Sequence, residues 1–152
     1  MNKYIKLKNK HEKEINNFPM FFAFDDKQFE KGLKKLNTTK KDIFSIGMGG
    51  FIRKVDRHKY NDLFKKQYEE EKEAKKDDIY LYQGFRYELS NHEFIITYDY
   101  TDTLNCFGLE YDKLTDKELK ILEKAKNDYL KNMEEVEING NVWKCWSNKW
   151  WP

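Results

Sequence analysis

Cysteine is scarce in this chain of 152 residues, with Cys106 and Cys145 standing alone and no CxxC pair. That scarcity excludes a disulfide framework, and reduced thiols in a cytosolic compartment are the expectation. Long apolar runs are missing too. The opening residues Met1-Asn2-Lys3-Tyr4-Ile5-Lys6-Leu7-Lys8 lack the apolar core of roughly 7–15 residues that a secretory leader carries. No stretch approaches the ~20 apolar residues of a membrane span, so no membrane association is expected. Arginine is limited to Arg53, Arg57 and Arg86, which argues against a sequence-specific DNA reader built on bidentate Arg–guanine contacts. His11, His58 and His92 lie far apart, none beside a second ligand at metal spacing, so neither a metal nor a cofactor is expected. The serines lack a GxSxG elbow, and no dinucleotide fingerprint or P-loop is present.

Aromatic and charged residues fill the space left by these absences. Aromatics make up 16% of the chain and charged residues 37%, so rings must supply much of the core. Each buried ring removes a large area from water, which lets so polar a sequence fold. The net charge of +2 conceals an uneven distribution. Residues 1–76 hold 20 Lys and Arg against 12 Asp and Glu, whereas residues 77–116 hold 2 against 9. A basic half joined to an acidic segment can steer encounters with a charged partner.

The periodicities describe an α+β chain: a small antiparallel sheet of about three to five short strands surrounded by about five helices. Residues 1–152 read as a single domain with a Trp-rich tail at 136–152. Tyr4, Leu7, His11, Ile15 and Phe18 recur at helical spacing up to Pro19. Met20–Phe24 reads as a buried strand. Asp25 or Asp26 caps a second helix carrying Phe29, Leu33 and Leu36. Gly47-Met48-Gly49-Gly50 reads as the turn of a hairpin between Ile43–Ile46 and Phe51–Arg53, with an anion-binding nest as the alternative. Further helices are expected from Asp56 through the charged block at 69–76, around Tyr80–Leu89 with Gly84 as a weak point, and from the capping box Thr115–Glu118 to about Glu134. Phe94-Ile95-Ile96-Thr97-Tyr98-Asp99-Tyr100, β-branched and aromatic throughout, predicts a central strand beside the hairpin. Thr101 or Asp102 then starts a short helix stopped by Gly108. Asn139-Gly140 predicts a second hairpin.

Three places invite a functional reading. Arg53 and Lys54 leave the first hairpin as its best candidates for contact with a partner. His92, with Glu93 and Asp99, offers the acid–base pairing of a small hydrolase or transferase. Trp143, Trp146, Trp150 and Trp151 gather every tryptophan of the chain into nine residues, with Lys144 and Lys149 between them. Such a tail can cover a face of the core, fill pockets on a partner protein, or stack on single-stranded bases while its lysines neutralise phosphates.

The segments Asn17-Phe18-Pro19-Met20-Phe21-Phe22-Ala23-Phe24, Gly49-Gly50-Phe51-Ile52-Arg53-Lys54 and Phe85-Arg86-Tyr87-Glu88-Leu89-Ser90-Asn91-His92-Glu93 resemble a family of small uncharacterised proteins. That family occurs in phages and other mobile elements of Bacteroidetes, and the resemblance covers residues 1 to about 130. It implies a cytoplasmic location in a bacterial host and, by context, an antagonist of host defence such as an anti-CRISPR protein. Nucleic-acid mimicry needs an acidic chain, which +2 does not provide. The expectation is a non-enzymatic interaction protein that meets a host protein or protein–RNA complex, for instance a Cas effector with its guide RNA. The alternatives are a nucleic-acid-binding accessory of phage replication or expression, and the hydrolase or transferase.

Overall fold

The computed structural model describes residues 1–134 and the strands at 136–138 and 141–143, with side chains through residue 132. Among these residues the fold is mixed α and β, with seven α-helices and a three-stranded antiparallel sheet. The chain forms two compact units, Leu7–Lys72 and the combination of Met1–Lys6 with the chain from Glu73 onward. No helix among the described residues is long and apolar enough to cross a membrane.

The first unit contains most of helix α1 (Lys3–Asn16), strand β1 (Met20–Phe22), helix α2 (Asp26–Lys35), strands β2 (Ile43–Gly47) and β3 (Gly50–Arg53), and most of helix α3 (Arg57–Ala74). The strands lie in the order β1-β3-β2, all antiparallel, with Phe21 opposite Phe51 and Phe44 opposite Ile52. Met48 and Gly49 turn the hairpin with φ of 49° and 74°, the positive values that a tight two-residue turn requires. Phe21, Phe29 and Phe51 pack ring on ring, and α2 seals them with Leu33 and Leu36. Asp25 caps α2 by accepting the Gln28 N–H at 2.6 Å.

Met20–Phe24, expected as a buried strand, gives the edge strand β1, in which only Phe21 of the three residues is buried. The 69–76 block continues α3 as a helix to Ala74. Asp56, expected as the cap of α3, instead sits in a 3-10 turn and accepts from Arg53.

The second unit packs helix α4 (Asp78–Asn91) against helix α7 (Asp116–Glu134). Tyr80, Leu81, Phe85 and Leu89 of α4 and Leu122, Ala125 and Tyr129 of α7 are all buried. Gly84 is no weak point, because it admits a close approach: a Cβ there would lie 2.6 Å from Phe107 Cζ and 3.0 Å from Tyr4 Cδ2. The capping box at the head of α7 is formed, with Thr115 Oγ1 accepting the Glu118 N–H and Thr115 N donating back to Glu118 Oε2.

The expected strand at 94–100 is absent. Phe94–Thr97 is instead one helical turn, α5, bracketed by left-handed Glu93 and Tyr98 with φ of 49° and 54°. The central place in the sheet that the segment's two apolar faces suggested is taken by β3, which is paired on both sides by β1 and β2. The apolar residues of this segment divide, Phe94 serving the core while Ile96 and Tyr98 are exposed. Phe94 is buried and stacks on Tyr100 at 4.8 Å between ring centroids. Helix α6 (Thr101–Asn105) follows, and Gly108 with φ of 61° ends the turn after it. Strands β4 (Val136–Ile138) and β5 (Asn141–Trp143) pair antiparallel, as the second hairpin signal predicted, and its Asn139-Gly140 turn lies outside the described residues.

Candidate functional site

In the unit Leu7–Lys72, the helical spacing that turns Phe29, Leu33 and Leu36 inward turns Lys27, Lys31, Lys34 and Lys35 outward. Lys40 and Lys41 extend this set across the following 3-10 turn. All six lysines are exposed, and none has a carboxylate within 4.0 Å among the described residues. Positions four apart on a helix are separated by about 6 Å along its axis, so the row presents regularly spaced cations. Phe24 directly precedes α2 and is 78% exposed, and its ring lies against Gly49. Met48 at the hairpin tip is 93% exposed and Phe22 is 54% exposed. Phe24 therefore sits beside the head of the lysine-bearing helix, and its backbone N–H donates to Gln28 of that helix.

Arg53 and Lys54 hold structure together more than they present charge. Arg53 Nε donates to the buried carboxylate of Asp56 at 2.5 Å, and Lys54 Nζ donates to the Lys41 carbonyl. The first contact ties the end of β3 to the 3-10 turn that follows it, and the second fastens that turn to the one before β2. Arg57 lies over the Phe44 ring, its guanidinium 4.4 Å from the centroid, a cation–π contact that covers the sheet. Arg53 also lines a cleft of about 520 Å³ together with Lys59 and Lys66, but Glu14 and Asp56 line it as well. Lys66 and Glu14 are paired at 2.6 Å, and that pairing holds the Glu14 carboxyl below its ordinary range. Its cations are therefore largely neutralised.

The residues of the acid–base reading do not meet. His92 caps the end of α4 and turns its Nε2 toward Glu88 and Cys106, each at 3.4 Å. Asp99 accepts from the backbone N–H and the hydroxyl of Thr101, at 2.8 and 2.7 Å. Those bonds hold its carboxyl low and direct it to the start of α6. Glu93 is exposed in the left-handed turn. Glu88 is fully buried and was not singled out by its sequence position, although Glu88 and His92 stand four apart and share a helix face. Tyr4 donates to Glu88 Oε1 at 2.5 Å and Asn91 Nδ2 to Oε2 at 3.0 Å. Burial, reinforced by that bond to Glu88, raises the Tyr4 pKa far above its usual value.

Trp146, Trp150, Trp151, Lys144 and Lys149 lie outside the described residues, and Trp143 is described only as the end of β5. The α2 lysines were visible to sequence reasoning as a basic half and not as a particular face. No curated protein and no solved structure matches the chain. The sequence model of a family of unknown function, DUF7659, matches residues 3–132. With that match spanning the two units almost from end to end, the chain belongs to this family.

Proposed function

We propose that this chain is a non-enzymatic interaction protein of a phage or mobile element that docks on a host ribonucleoprotein. RNA-guided CRISPR–Cas effectors are the class of target to which the mobile-element resemblance points. The observation that carries the reading is the row of six exposed lysines on α2 and the turn after it, none of them neutralised by a carboxylate among the described residues. Unpaired cations on a rigid helix face a phosphate backbone without first giving up an internal ion pair, and their gain comes from counterion release. Lysine suits backbone contact, since it offers a point charge and reads no base.

The test is binding of a fluorescent single-stranded RNA and of a purified Cas effector, with and without guide RNA, across a salt series. If Z lysines contact phosphates, log K falls against log salt with a slope of about −0.7Z on a single strand. Six contacts then give a slope of about −4, or a loss of roughly 300-fold between 50 and 200 mM salt. Replacing Lys27, Lys31, Lys34 and Lys35 by Glu should abolish binding to the guided complex and leave the fold intact. Equal binding by the wild type and this variant refutes the reading. Exposed Phe22 and Phe24, in the same unit as the row, favour the accessory-protein alternative, in which bases stack on the rings. Tight binding of naked RNA, with no added affinity for the effector, would select it.

A further inference from the structure

We propose that Glu88, His92 and Cys106 form a binding site for a divalent transition metal of the zinc class, with three protein ligands and one position open to solvent. The site lies in the unit built from Met1–Lys6 and the chain from Glu73, and it does not depend on the lysine row. Glu88 and His92 project together because they stand four apart at the end of α4, and Cys106 arrives from the end of α6. Among the described residues this is the one group of three or more His, Cys, Asp or Glu side chains able to hold a metal ion. Its three donor atoms lie within 4.8 Å of one another.

The two separations made by His92 suit a tetrahedral ion, and the third, from Glu88 to Cys106, is within 4.8 Å. Zinc takes nitrogen and oxygen ligands at about 2.0–2.1 Å and thiolate at about 2.3 Å. Tetrahedral angles then place nitrogen about 3.3 Å from oxygen and about 3.5 Å from sulfur. His92 Nε2 is 3.4 Å from Glu88 Oε2 and 3.4 Å from Cys106 Sγ. The contact to Glu88 is long for a hydrogen bond, the contact to Cys106 is ordinary for sulfur, and both are right for neighbours on one ion.

A Cys–His–Glu nucleophile fits less well. In such a triad the histidine gives one ring nitrogen to the nucleophile and the other to the carboxylate. Here the same nitrogen faces both. A single Nε2 cannot accept from the thiol and donate to the carboxylate at once, whereas a cation placed among the three atoms satisfies all of them.

The surroundings supply what a metal carboxylate ligand requires. Tyr4 and Asn91 each donate to Glu88 and so fix the plane of its carboxylate, the kind of outer contact that orients ligands in metal sites. Glu88 closes the inner side because it is fully buried, while Cys106 is exposed and the His92 side chain is 30% exposed. The open position therefore faces water, the arrangement of zinc sites that bind or activate a further ligand. Sulfur with imidazole selects zinc, cobalt or a similar ion over magnesium and calcium, which require oxygen ligands. On binding, Cys106 gives its thiol proton to solvent and the metal bonds to the thiolate, so affinity rises with pH.

The full chain, reduced and stripped of metal, is titrated with cobalt(II) and then zinc(II). The expected result is one equivalent of cobalt with a thiolate-to-cobalt charge-transfer band, which zinc displaces. C106S should lose the band and H92Q should weaken binding at least tenfold, while C145S, lacking the other thiol, should keep both. Because E88Q disturbs a buried group, zinc protection serves as the second readout: one equivalent of zinc should slow alkylation of Cys106, mapped by mass spectrometry, by tenfold or more. A wild type without the band under excess cobalt overturns the proposal. So does a band that survives C106S and vanishes in C145S, or Cys106 alkylation that zinc does not slow.

Discussion

Replacing Gly84 by Ala sets two effects of known size against each other, and the sign of the result shows which of them holds. Alanine in a helix interior is favoured over glycine by about 1 kcal/mol. If Gly84 were merely a soft point in α4, the substitution would stabilise the protein by that amount. The added methyl would, however, lie 2.6 Å from Phe107 Cζ, 2.9 Å from Cε1 and 3.0 Å from Tyr4 Cδ2. Neither ring is free to retreat. Phe107 packs edge-on against Phe85 and tilted on Tyr4, and Tyr4 is flanked by Tyr80 and Tyr87. Forcing a methyl into a filled core costs about 1–3 kcal/mol, and a shifted Tyr4 also strains its hydrogen bond to Glu88. We expect net destabilisation of up to about 2 kcal/mol, a fall of up to roughly 8 °C in melting temperature for a chain of this size. Urea unfolding followed by circular dichroism measures it, with Ser90→Ala on the exposed side of the same helix as a control expected within about 0.5 kcal/mol of wild type. A melting point above wild type for Gly84→Ala would refute the close-approach argument.

The other expectations concern the groups around these cores. Tyr4 is buried, and its pKa is raised chiefly by that burial and then by Glu88, so the folded protein holds a proton that an unfolded tyrosine loses near pH 10. Its effect on stability is therefore flat below about pH 10, and stability falls above it by about 1.4 kcal/mol per pH unit. Tyr4→Phe should reduce that alkaline slope by the same amount in urea midpoints taken from neutral to alkaline pH, and an unchanged slope would show that Tyr4 ionises freely in the folded state. At neutral pH the same variant leaves Glu88 without one donor and should lose about 1–3 kcal/mol. Asp25→Ala removes the acceptor for the Gln28 N–H and should cost about 1 kcal/mol, read from the same urea curves.

Much of the fold could be read from short-range signals. The Asp25 cap, the Thr115–Glu118 box, the hairpin around Met48-Gly49 and the stop at Gly108 each rest on a few adjacent residues, and each is present. The segment 94–100 failed for the opposite reason. β-branched and aromatic residues report that a segment fits a half-buried surface and carry no information about whether the central place in a sheet is open to it. With that place taken by β3, Phe94 and Tyr100 stack on each other and on the rings around them. Gly84 illustrates the same limit. Its propensity is a local property, whereas the rings of Tyr4 and Phe107 that need the missing Cβ come from residues 80 positions before it and 23 after it.

The candidate sites show how far charge counting reaches. Residues 7–72 hold 16 Lys and Arg against 11 Asp and Glu, a modest excess when treated as a sum. The sum does not reveal which cations are already engaged. Glu70 accepts from Lys10 at 2.7 Å and contacts His11 at 2.9 Å, Glu14 takes Lys66, and Asp56 takes Arg53. Glu14, Glu70 and Asp56 are thus engaged by basic residues of neighbouring elements, α1 with α3 and the 3-10 turn with β3. Lys13, Lys59, Lys65 and Lys72 on α1 and α3 also stay exposed, but the densest group of unneutralised cations is the six on α2 and the turn after it, a face that a net charge of +2 would never single out. Glu88 makes the complementary point: its spacing to His92 was visible in the sequence, but only the fold could show that it is buried, held by Tyr4 and aimed at Cys106 eighteen residues on. A site assembled from one helix is legible to the extent that its residues share a face. Its last ligand becomes visible only when a second helix delivers it.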